Sequence, residues 1–179
     1  LNTIVLGAEL LSAGDPASHA RTLARIGAAA RRAARLAADL LDFTQARLGG
    51  GLRTQPVAID VHAVVAEVVD ELRLAWPGRT FVYGERGAGV VRADPTRVAQ
   101  VVANLGNNAC AHGAADHAVV VDSAVSAAGW TLEVKNRGKP IPADLLPHIF
   151  EPFRRGDDAP AGARSVGLGL YIVDQIARA

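Results

Sequence analysis

The chain lacks the features that mark several large classes of protein. Its single cysteine, Cys110, excludes a disulfide within the chain and is expected to be a packed small residue. The formal net charge is only +1, so nothing favours a nucleic-acid partner. No run reaches the roughly 18 apolar residues of a membrane-spanning helix, and no secretory leader is recognisable. We therefore expect a cytoplasmic module without a membrane segment.

The most regular pattern lies in residues 94–113 and predicts a helix with one buried face. Asp94 is placed to cap this helix, and Pro95 suits its first position. The apolar residues that recur at helical spacing are Val98, Val101, Val102, Leu105 and Ala109.

A second face of the same helix carries Asn104, Asn108 and His112, each four residues apart. Amide oxygens are hard, neutral ligands that suit Mg²⁺, which takes its other ligands from water and phosphate. A single helical asparagine more often bonds local backbone. Two at this spacing, followed by the segments below, favour a nucleotide site.

Residues Asn136–Pro142 follow a strand-like run, Trp130–Lys135, and predict a turn at the end of a strand. Gly138 permits a close approach of backbone to a ligand. Asn136 can accept a hydrogen bond from an exocyclic amine such as that of adenine. An ordinary β-turn is the commoner meaning of such a run.

Two further segments, Phe150–Arg155 and Gly167–Leu170, flank a polar stretch rich in small residues, Asp157–Arg164. This stretch is typical of a mobile lid. The glycine pair opens a helix, whose free amides and positive dipole end favour phosphate. Arg154 and Arg155 add cationic groups at the base of the lid.

Taken in order, these segments resemble the conserved boxes of bacterial sensor histidine kinases, and the resemblance covers nearly all of the chain. Asn104 and Asn108 match the N box, Asn136–Pro142 the G1 box, Phe150–Phe153 the F box and Gly167–Leu170 the G2 box. The resemblance implies a Bergerat-type ATP fold, shared with the DNA gyrase, Hsp90 and MutL ATPases.

The same resemblance implies the roles of individual residues. Asn108 would be the Mg²⁺ ligand, Asn104 would support the ion or the phosphates, and Asn136 would face adenine. The expected set of ATP-binding residues is Asn104, Asn108, His112, Asn136, Gly138, Ile141, Phe150, Arg154, Arg155, Gly167, Leu168, Gly169 and Leu170.

The N-terminal part carries two helical patterns separated by a break at Gly14–Pro16. The stripe of the first is Leu1, Ile4, Val5, Ala8 and Leu11. The second runs from about Ala17 to Leu48, with a seam of Leu23, Ile26, Ala30, Ala33, Ala37, Leu40 and Thr44. Two helices cannot bury such stripes, so we expect a second copy to complete a four-helix bundle. The alternative is packing on the remainder of the same chain. In the family this hairpin is the dimerisation and phosphotransfer element.

The phosphoacceptor histidine of the family lies in a His-Glu/Asp-x-x-Asn/Thr-Pro-Leu motif. Leu1-Asn2 resembles the segment just after the proline of this motif, so the histidine is expected ahead of Leu1. We therefore expect no catalytic residue within the chain. The histidines outside the N-box helix are expected to be solvated: His19, His62, His117 and His148.

Two domains are predicted, with their boundary near Gly49–Gly51. Residues 1–51 form the hairpin, incomplete at its N-terminus, and residues 52–179 form the ATP-binding domain, incomplete at its C-terminus. In the second domain, a helix capped by Asp60 is expected. The expected strands are Pro56–Ile59, a hairpin of Arg79–Glu85 with Val90–Ala93, and a hairpin of Val119–Val125 with Trp130–Lys135. The fold class is therefore α/β (α+β), a sandwich with helices on one face of a mostly antiparallel sheet.

Several positions depart from the family pattern. Asn136 replaces the usual aspartate, which we expect to weaken the bond to the adenine amine by on the order of 1 kcal/mol, since a charge-assisted bond becomes neutral. Pro140 replaces a glycine and removes an amide donor. Ala111 replaces a frequent basic residue, and Ser165 a common glycine.

The function expected from the resemblance is that of a two-component protein histidine kinase. It would bind Mg-ATP, transfer the γ-phosphoryl to the upstream histidine, and pass it to an aspartate of a response regulator, under control of an N-terminal sensor module. The departures leave a second reading open, a degenerate dimeric scaffold that binds a regulator or nucleotide without phosphotransfer. A third alternative is an ATPase or serine kinase of the anti-sigma-factor type, which shares the pocket, but the helical hairpin argues against it because such proteins lack that element.

Overall fold

The structure, a computed structural model, describes residues 16–154 and 166–179. The predicted helix Leu1–Leu11, the predicted lid Asp157–Arg164, and residues Arg155 and Ser165 lie outside the described residues. The chain divides into two compact units, Leu1–Thr44 and Gln45–Ala179. The division of function between residues 1–51 and 52–179 stays a prediction.

The first unit is described by one long helix, α1, Pro16–Gln45. It confirms most of the helix expected from about Ala17 to Leu48, but the α-helix ends at Gln45 and is followed by a π-helix, Ala46–Gly50. Large apolar side chains of α1 are exposed, among them Leu23 at 56% and Leu40 at 52%. Among the described helices, none is both long enough and apolar enough to cross a membrane.

Two aspartates of α1, Asp39 and Asp42, are buried. Burial raises the pKa of Asp39, Arg35 opposes this rise and the charge of Asp42 adds to it. A helix that exposes leucines and buries carboxyl groups does not have the surface of an isolated, solvated helix.

The second unit alternates short strands with helices. Its strands are β1 Val57–Ile59, β2 Phe81–Arg86, β3 Val91–Ala93, β4 Val119–Ser126 and β5 Gly129–Lys135; its helices are α2 Val61–Ala75, α3 Pro95–His112, a 3₁₀ turn Leu146–His148 and α4 Gly169–Arg178. Both predicted caps are present. The Asp60 carboxylate accepts from the amide of His62 at 3.0 Å, and that of Asp94 from the amide of Thr96 at 2.9 Å.

The strands form a three-stranded sheet in the order β2-β4-β5 and a separate pair, β1-β3. The predicted hairpin of β4 and β5 is confirmed, with Val120 opposite Lys135 and Ser126 opposite Gly129. The predicted hairpin of β2 with β3 is wrong. β2 runs parallel to β4, and β3 is antiparallel to β1.

The error has a physical reason. The segment after β2 contains Gly87 and Gly89, both at positive φ, which direct the chain out of the sheet and away from a tight hairpin turn. The helix α3 then crosses over before β4, and a crossover is what a parallel pairing requires.

The core lies between the sheet and the apolar faces of α2 and α3. Its buried members are Val61, Val65, Val68, Val69, Leu72, Phe81, Val98, Val102, Ala109, Cys110, Val119 and Val121. Cys110 is a packed small residue, as predicted. Val101 and Leu105 of the predicted α3 stripe are only half-buried. The core fixes the position of α3, and with it that of the candidate site, relative to the sheet.

The sequence predicts that the four histidines outside α3 are solvated, and the structure agrees for only some of them. The prediction is wrong for His62, which is buried; the Ser123 Oγ, 2.8 Å from its Nδ1, gives the buried ring a polar partner. Trp130 Nε1 donates to the same oxygen at 2.9 Å. His19 is half-buried, with its Nε2 shielded from solvent. His117 and His148 keep 42% and 45% of their side chains exposed, in agreement with the prediction.

Candidate functional site

The helix α3 presents two asparagine side chains whose polar groups are left available. The Nδ2 of Asn104 is buried and has no hydrogen-bond partner within the described residues. The half-buried side chain of Asn108 likewise makes no hydrogen bond within the part of the chain that the structure describes. An orphaned buried amide is costly and calls for a ligand or ordered water. His112, one turn further on, is exposed.

A third asparagine of the same helix, Asn107, uses its side chain in hydrogen bonds within the protein. Its Oδ1 accepts from Trp76 Nε1 at 3.0 Å, and its Nδ2 donates to the Ala103 carbonyl at 2.7 Å. Sequence reasoning gave Asn107 no role, and helical spacing alone does not separate it from Asn104, because residues three apart are neighbours on a helix. The structure therefore separates two available amides from one that is structurally engaged.

The end of α3 is joined to the turn after β5. The amide of Ala114 donates to the Arg137 carbonyl at 2.6 Å, and Gly113 forms a β-bridge with Gly138. A Cβ atom at Gly138 would lie 2.5 Å from the His112 carbonyl oxygen, so a larger residue cannot occupy this position without movement. The end of the helix that carries the predicted N box is thus in direct contact with the predicted G1 box.

Asn136 lies beside this junction and is exposed. A Cβ atom at Gly113 would be 3.2 Å from the Asn136 Nδ2, which places the Asn136 side chain next to the end of α3. Ile141, further along the same turn, exposes 48% of its surface. Both side chains are open to a ligand that approaches from solvent.

The segments on either side of the undescribed residues 155–165 are tied together. The amide of Phe153 donates to the Gly167 carbonyl at 2.9 Å. Phe153 has a φ of 65° and Gly167 a φ of 77°, and a Cβ atom at Gly167 would lie 2.7 Å from the Arg154 carbonyl oxygen. Only glycine fits that approach, so the predicted F and G2 boxes meet at this point. Phe150 exposes 46% of its surface.

The helix α4 begins at Gly169 without a side-chain cap. The first amides of a helix have no partner within it, and an uncapped start leaves them available to an anion. Gly169 also faces α3, since a Cβ atom there would lie 3.6 Å from the Asn104 Oδ1. Leu168 is buried and Leu170 half-buried, which anchors this start against the core.

One charged cluster lies at the edge of this arrangement. Glu151 accepts from Arg154 Nε at 2.8 Å and lies 2.7 Å from His148 Nδ1. The hydrogen bond from Arg154, and then that from His148, lowers the pKa of Glu151. Arg154 is therefore paired through Nε, with its side chain half exposed.

The residues present fit a nucleotide with magnesium. Within residues 16–154 and 166–179, no group of three or more His, Cys, Asp or Glu side chains could hold a metal ion. A divalent cation here would rely on an amide oxygen and on phosphate, the ligand set that suits Mg²⁺. The orphaned Asn104 Nδ2 and the uncapped start of α4 both supply donors for phosphate oxygens.

Comparison with known proteins agrees with this geometry. Residues 93–179 match the family described as histidine kinase-, DNA gyrase B-, and HSP90-like ATPases. The chain is 33% identical over 180 residues to a bacteriophytochrome of Pseudomonas aeruginosa, across all of this chain and 25% of that protein. It is 32% identical to the probable sensor histidine kinase TcrY of Mycobacterium tuberculosis, across 92% of this chain and 35% of that protein. The chain thus spans a quarter to about a third of these relatives.

Solved structures show the same fold. The Acinetobacter baumannii histidine kinase AdeS aligns with a TM-score of 0.65 and 22% identity, over 97% of this chain and 82% of that one. The catalytic domain of the histidine kinase ThkA aligns with a TM-score of 0.58 and 26% identity, over 68% of this chain and 79% of that one. The predicted fold class, mixed helices and sheet of the Bergerat type, is confirmed.

Proposed function

The chain belongs to the bacterial sensor histidine kinases through its catalytic domain, and we propose that it binds Mg-ATP between α3 and the segments 136–142, 150–154 and 167–170. One observation carries the proposal. The Asn104 side chain lies next to the uncapped start of α4, where a Cβ atom at Gly169 would be 3.6 Å from its Oδ1, and its buried Nδ2 has no partner within the described residues. The unused Nδ2 donor and the first amides of α4 thus lie on neighbouring elements, and triphosphate oxygens are acceptors that would satisfy both.

At the phosphate end, Asn108 would hold Mg²⁺ through its amide oxygen, and Asn104 would donate to a phosphate oxygen. The ion, when bound, neutralises charge on the β- and γ-phosphates. The amides of residues 167–170 would cradle the same phosphates. Arg154, and by the resemblance Arg155, would add cationic contacts from the other side.

At the adenine end, Asn136 would accept from the exocyclic amine. Its proximity to Gly113 supports this role, because both lie where the turn after β5 meets α3. Gly138 lets the backbone approach, Ile141 offers apolar surface to the base, and His112 offers a flat ring. Phe150 would pack near the nucleotide from the opposite segment.

The γ-phosphoryl group would then pass to a histidine, expected ahead of Leu1, and on to an aspartate of a response regulator. Little covalent chemistry falls to the protein in such a transfer, so positioning and charge neutralisation do most of the catalysis. A sensor module on the N-terminal side would control the transfer, and the catalytic domain would work in the cytoplasm.

The helix α1 would bring two copies together. Its exposed leucines support this, since Leu23, Leu40 and Leu41 expose between 52% and 61% of their surface on one helix. A second copy of the hairpin would cover them in a four-helix bundle.

Calorimetry tests the binding proposal. The wild-type chain is expected to bind ATP in the presence of Mg²⁺ and to lose most of that affinity when the metal is chelated or when Asn108 is changed to Ala. Arg73→Ala is the control, because its side chain donates to the Phe81 carbonyl and belongs to none of the segments of the proposed pocket. Equal binding by Asn108→Ala and wild type would refute the assignment.

A separate assay distinguishes the kinase from the scaffold. Asn136 at the usual aspartate position is the observation that favours the scaffold, since it makes the adenine bond neutral. A protein extended ahead of Leu1 is expected to take label from γ-labelled ATP at a histidine, and its Asn108→Ala variant is not. Binding of a response regulator without any label would favour the scaffold.

A further inference from the structure

One arginine outside all four boxes contacts the end of the N-box helix at three points. Arg79 lies in the short turn between α2 and β2, where its backbone amide donates to the Trp76 carbonyl at 2.9 Å. Its partly buried guanidinium donates to the carbonyls of Cys110, Gly113 and Ala114. Arginine suits this task, since its planar fork carries several donors in a fixed arrangement.

The three carbonyls lie where the helical ladder of α3 stops. The amide of Gly113 still makes the regular bond, to the Ala109 carbonyl at 2.8 Å. The next amide, that of Ala114, would regularly donate to the Cys110 carbonyl. It donates to the Arg137 carbonyl at 2.6 Å instead. Arg79 supplies the donor that Cys110 thereby lacks.

This exchange of partners connects the helix to the turn after β5. Because Ala114 is released from the ladder, its amide can hold Arg137, next to Asn136 and Gly138. The bridge between Gly113 and Gly138 forms alongside it. A cation at the end of a helix also meets the negative end of the helix dipole, which stabilises the same geometry.

The rest of the turn region fixes the position from which Arg79 acts. Trp76, at the end of α2, donates to the Asn107 Oδ1 of α3 at 3.0 Å. A Cβ atom at Gly106 would collide with Leu72, so α2 and α3 are in close contact there. The turn that carries Arg79 is thus anchored to a packed pair of helices.

We propose that Arg79 is a positioning residue for the adenine end of the nucleotide pocket. By replacing the Ala114 amide at Cys110, it allows that amide to hold Arg137 and so sets Asn136 against the end of α3. Arg79 touches no nucleotide itself. The inference rests on the proposed ATP site.

A double-mutant cycle on the full 179-residue chain tests the proposal, with binding of Mg-AMPPNP measured by calorimetry. Arg79→Ala is expected to weaken binding about tenfold, a loss typical of a misplaced contact group. The double variant Arg79→Ala with Asn136→Ala should bind Mg-AMPPNP at most about twofold more weakly than whichever of the two single variants binds more weakly. Combined with Asn104→Ala, at the phosphate end, the losses should multiply.

Arg73→Ala is the matched control. Arg73 comes from the same end of α2 and donates to the Phe81 carbonyl at 3.1 Å, away from α3, so its loss should leave binding within about twofold of wild type, as expected for independent sites. Arg79→Lys keeps the cation but cannot span three carbonyls, and should recover only part of the affinity. If Arg79→Ala does not fold, the cycle is run with Arg79→Gln.

The outcomes separate the two proposals. Wild-type chain that fails to bind AMPPNP overturns the ATP site and the role of Arg79 together. Wild-type binding with Arg79→Ala no weaker than Arg73→Ala overturns the role of Arg79 alone. Losses that multiply with both Asn136→Ala and Asn104→Ala, or full recovery by Arg79→Lys, would reduce Arg79 to a general stabilising charge and contradict the positioning role.

Discussion

Helix α1 and the unit that follows it place their apolar residues in opposite ways. In α1, Leu23, Leu40 and Leu41 expose between 52% and 61% of their surface, while Asp39 and Asp42 are buried. In the second unit, valines such as Val65, Val102 and Val121 are fully buried. The second unit therefore carries its own core, and α1 depends on surfaces beyond itself.

The difference explains where chemistry and assembly are expected. A nucleotide site needs groups held to within fractions of an ångström, and the closed core around α3 supplies that rigidity. An assembly element needs apolar surface that a partner can cover, and α1 has it. Changes in the two regions should therefore alter different properties of the chain.

The largest effect is expected from a charge in the core. Val102→Asp places a carboxylate at a fully buried position of α3, at a cost of more than about 4 kcal/mol, because the charge has no partner there. The thermal transition of the second unit, followed by circular dichroism, should disappear. Retention of a cooperative transition near the wild-type midpoint would show that this core is not closed.

The next largest effect is expected on assembly. Leu40→Asp should weaken self-association by about a hundredfold or more, because a covered leucine is lost from each copy, and sedimentation should find a monomer. Leu74→Asp is the matched control, since Leu74 is 85% exposed on α2, and it should leave the dimer intact. Equal effects of the two changes would contradict the assignment of α1 as the assembly element.

A smaller effect is expected at the cap of α3. Burial alone would raise the pKa of Asp94, but hydrogen bonds from the amides of Gln55, Arg97 and Thr96 lower it overall. Asp94→Ala should cost about 1 kcal/mol in urea unfolding at neutral pH. A lowered carboxyl pKa stabilises above its unfolded value of about 3.9, and this contribution is lost as the pH falls through the folded value.

The difference between wild type and Asp94→Ala should therefore shrink in acid, and Asp94→Asn, which can still cap, should lie between them. A difference that does not change with pH would show that the charge of Asp94 contributes nothing.

The smallest effect is expected at Asp39, with the opposite sign. Burial raises the pKa of Asp39, so its contribution to stability is full below the unfolded value and is lost as the pH rises through the folded value. Asp39→Asn should raise the midpoint of helix melting at neutral pH and leave it unchanged in acid. A lower midpoint at neutral pH would contradict the sign of this shift.

Local features of the fold could be predicted from the sequence. The caps at Asp60 and Asp94 and the β4–β5 hairpin each depend on a few neighbouring residues, whose types and spacing are visible directly. The face of α3 that bears Asn104 and Asn108 follows from helical spacing alone. The box order then predicted that four distant segments line one nucleotide pocket, which stays a prediction.

Features that depend on distant partners could not be predicted. The pairing of β2 with β4 depends on a crossover through α3. A prediction that pairs each strand with the next one along the chain misses it. The burial of His62 depends on Ser123, contributed by β4. Arg79 resembled the start of a strand, and nothing local indicated that it meets the carbonyls at the end of α3.

Binding of Mg-ATP by three proteins, the wild type, Leu40→Asp and Asn108→Ala, tests the central claim most directly. If the second unit contains the complete pocket, the monomeric Leu40→Asp should bind in calorimetry with the wild-type affinity, and Asn108→Ala should lose most of it. Loss of binding in Leu40→Asp with binding kept in Asn108→Ala would contradict the account, because the site would then depend on assembly and not on the N-box amide.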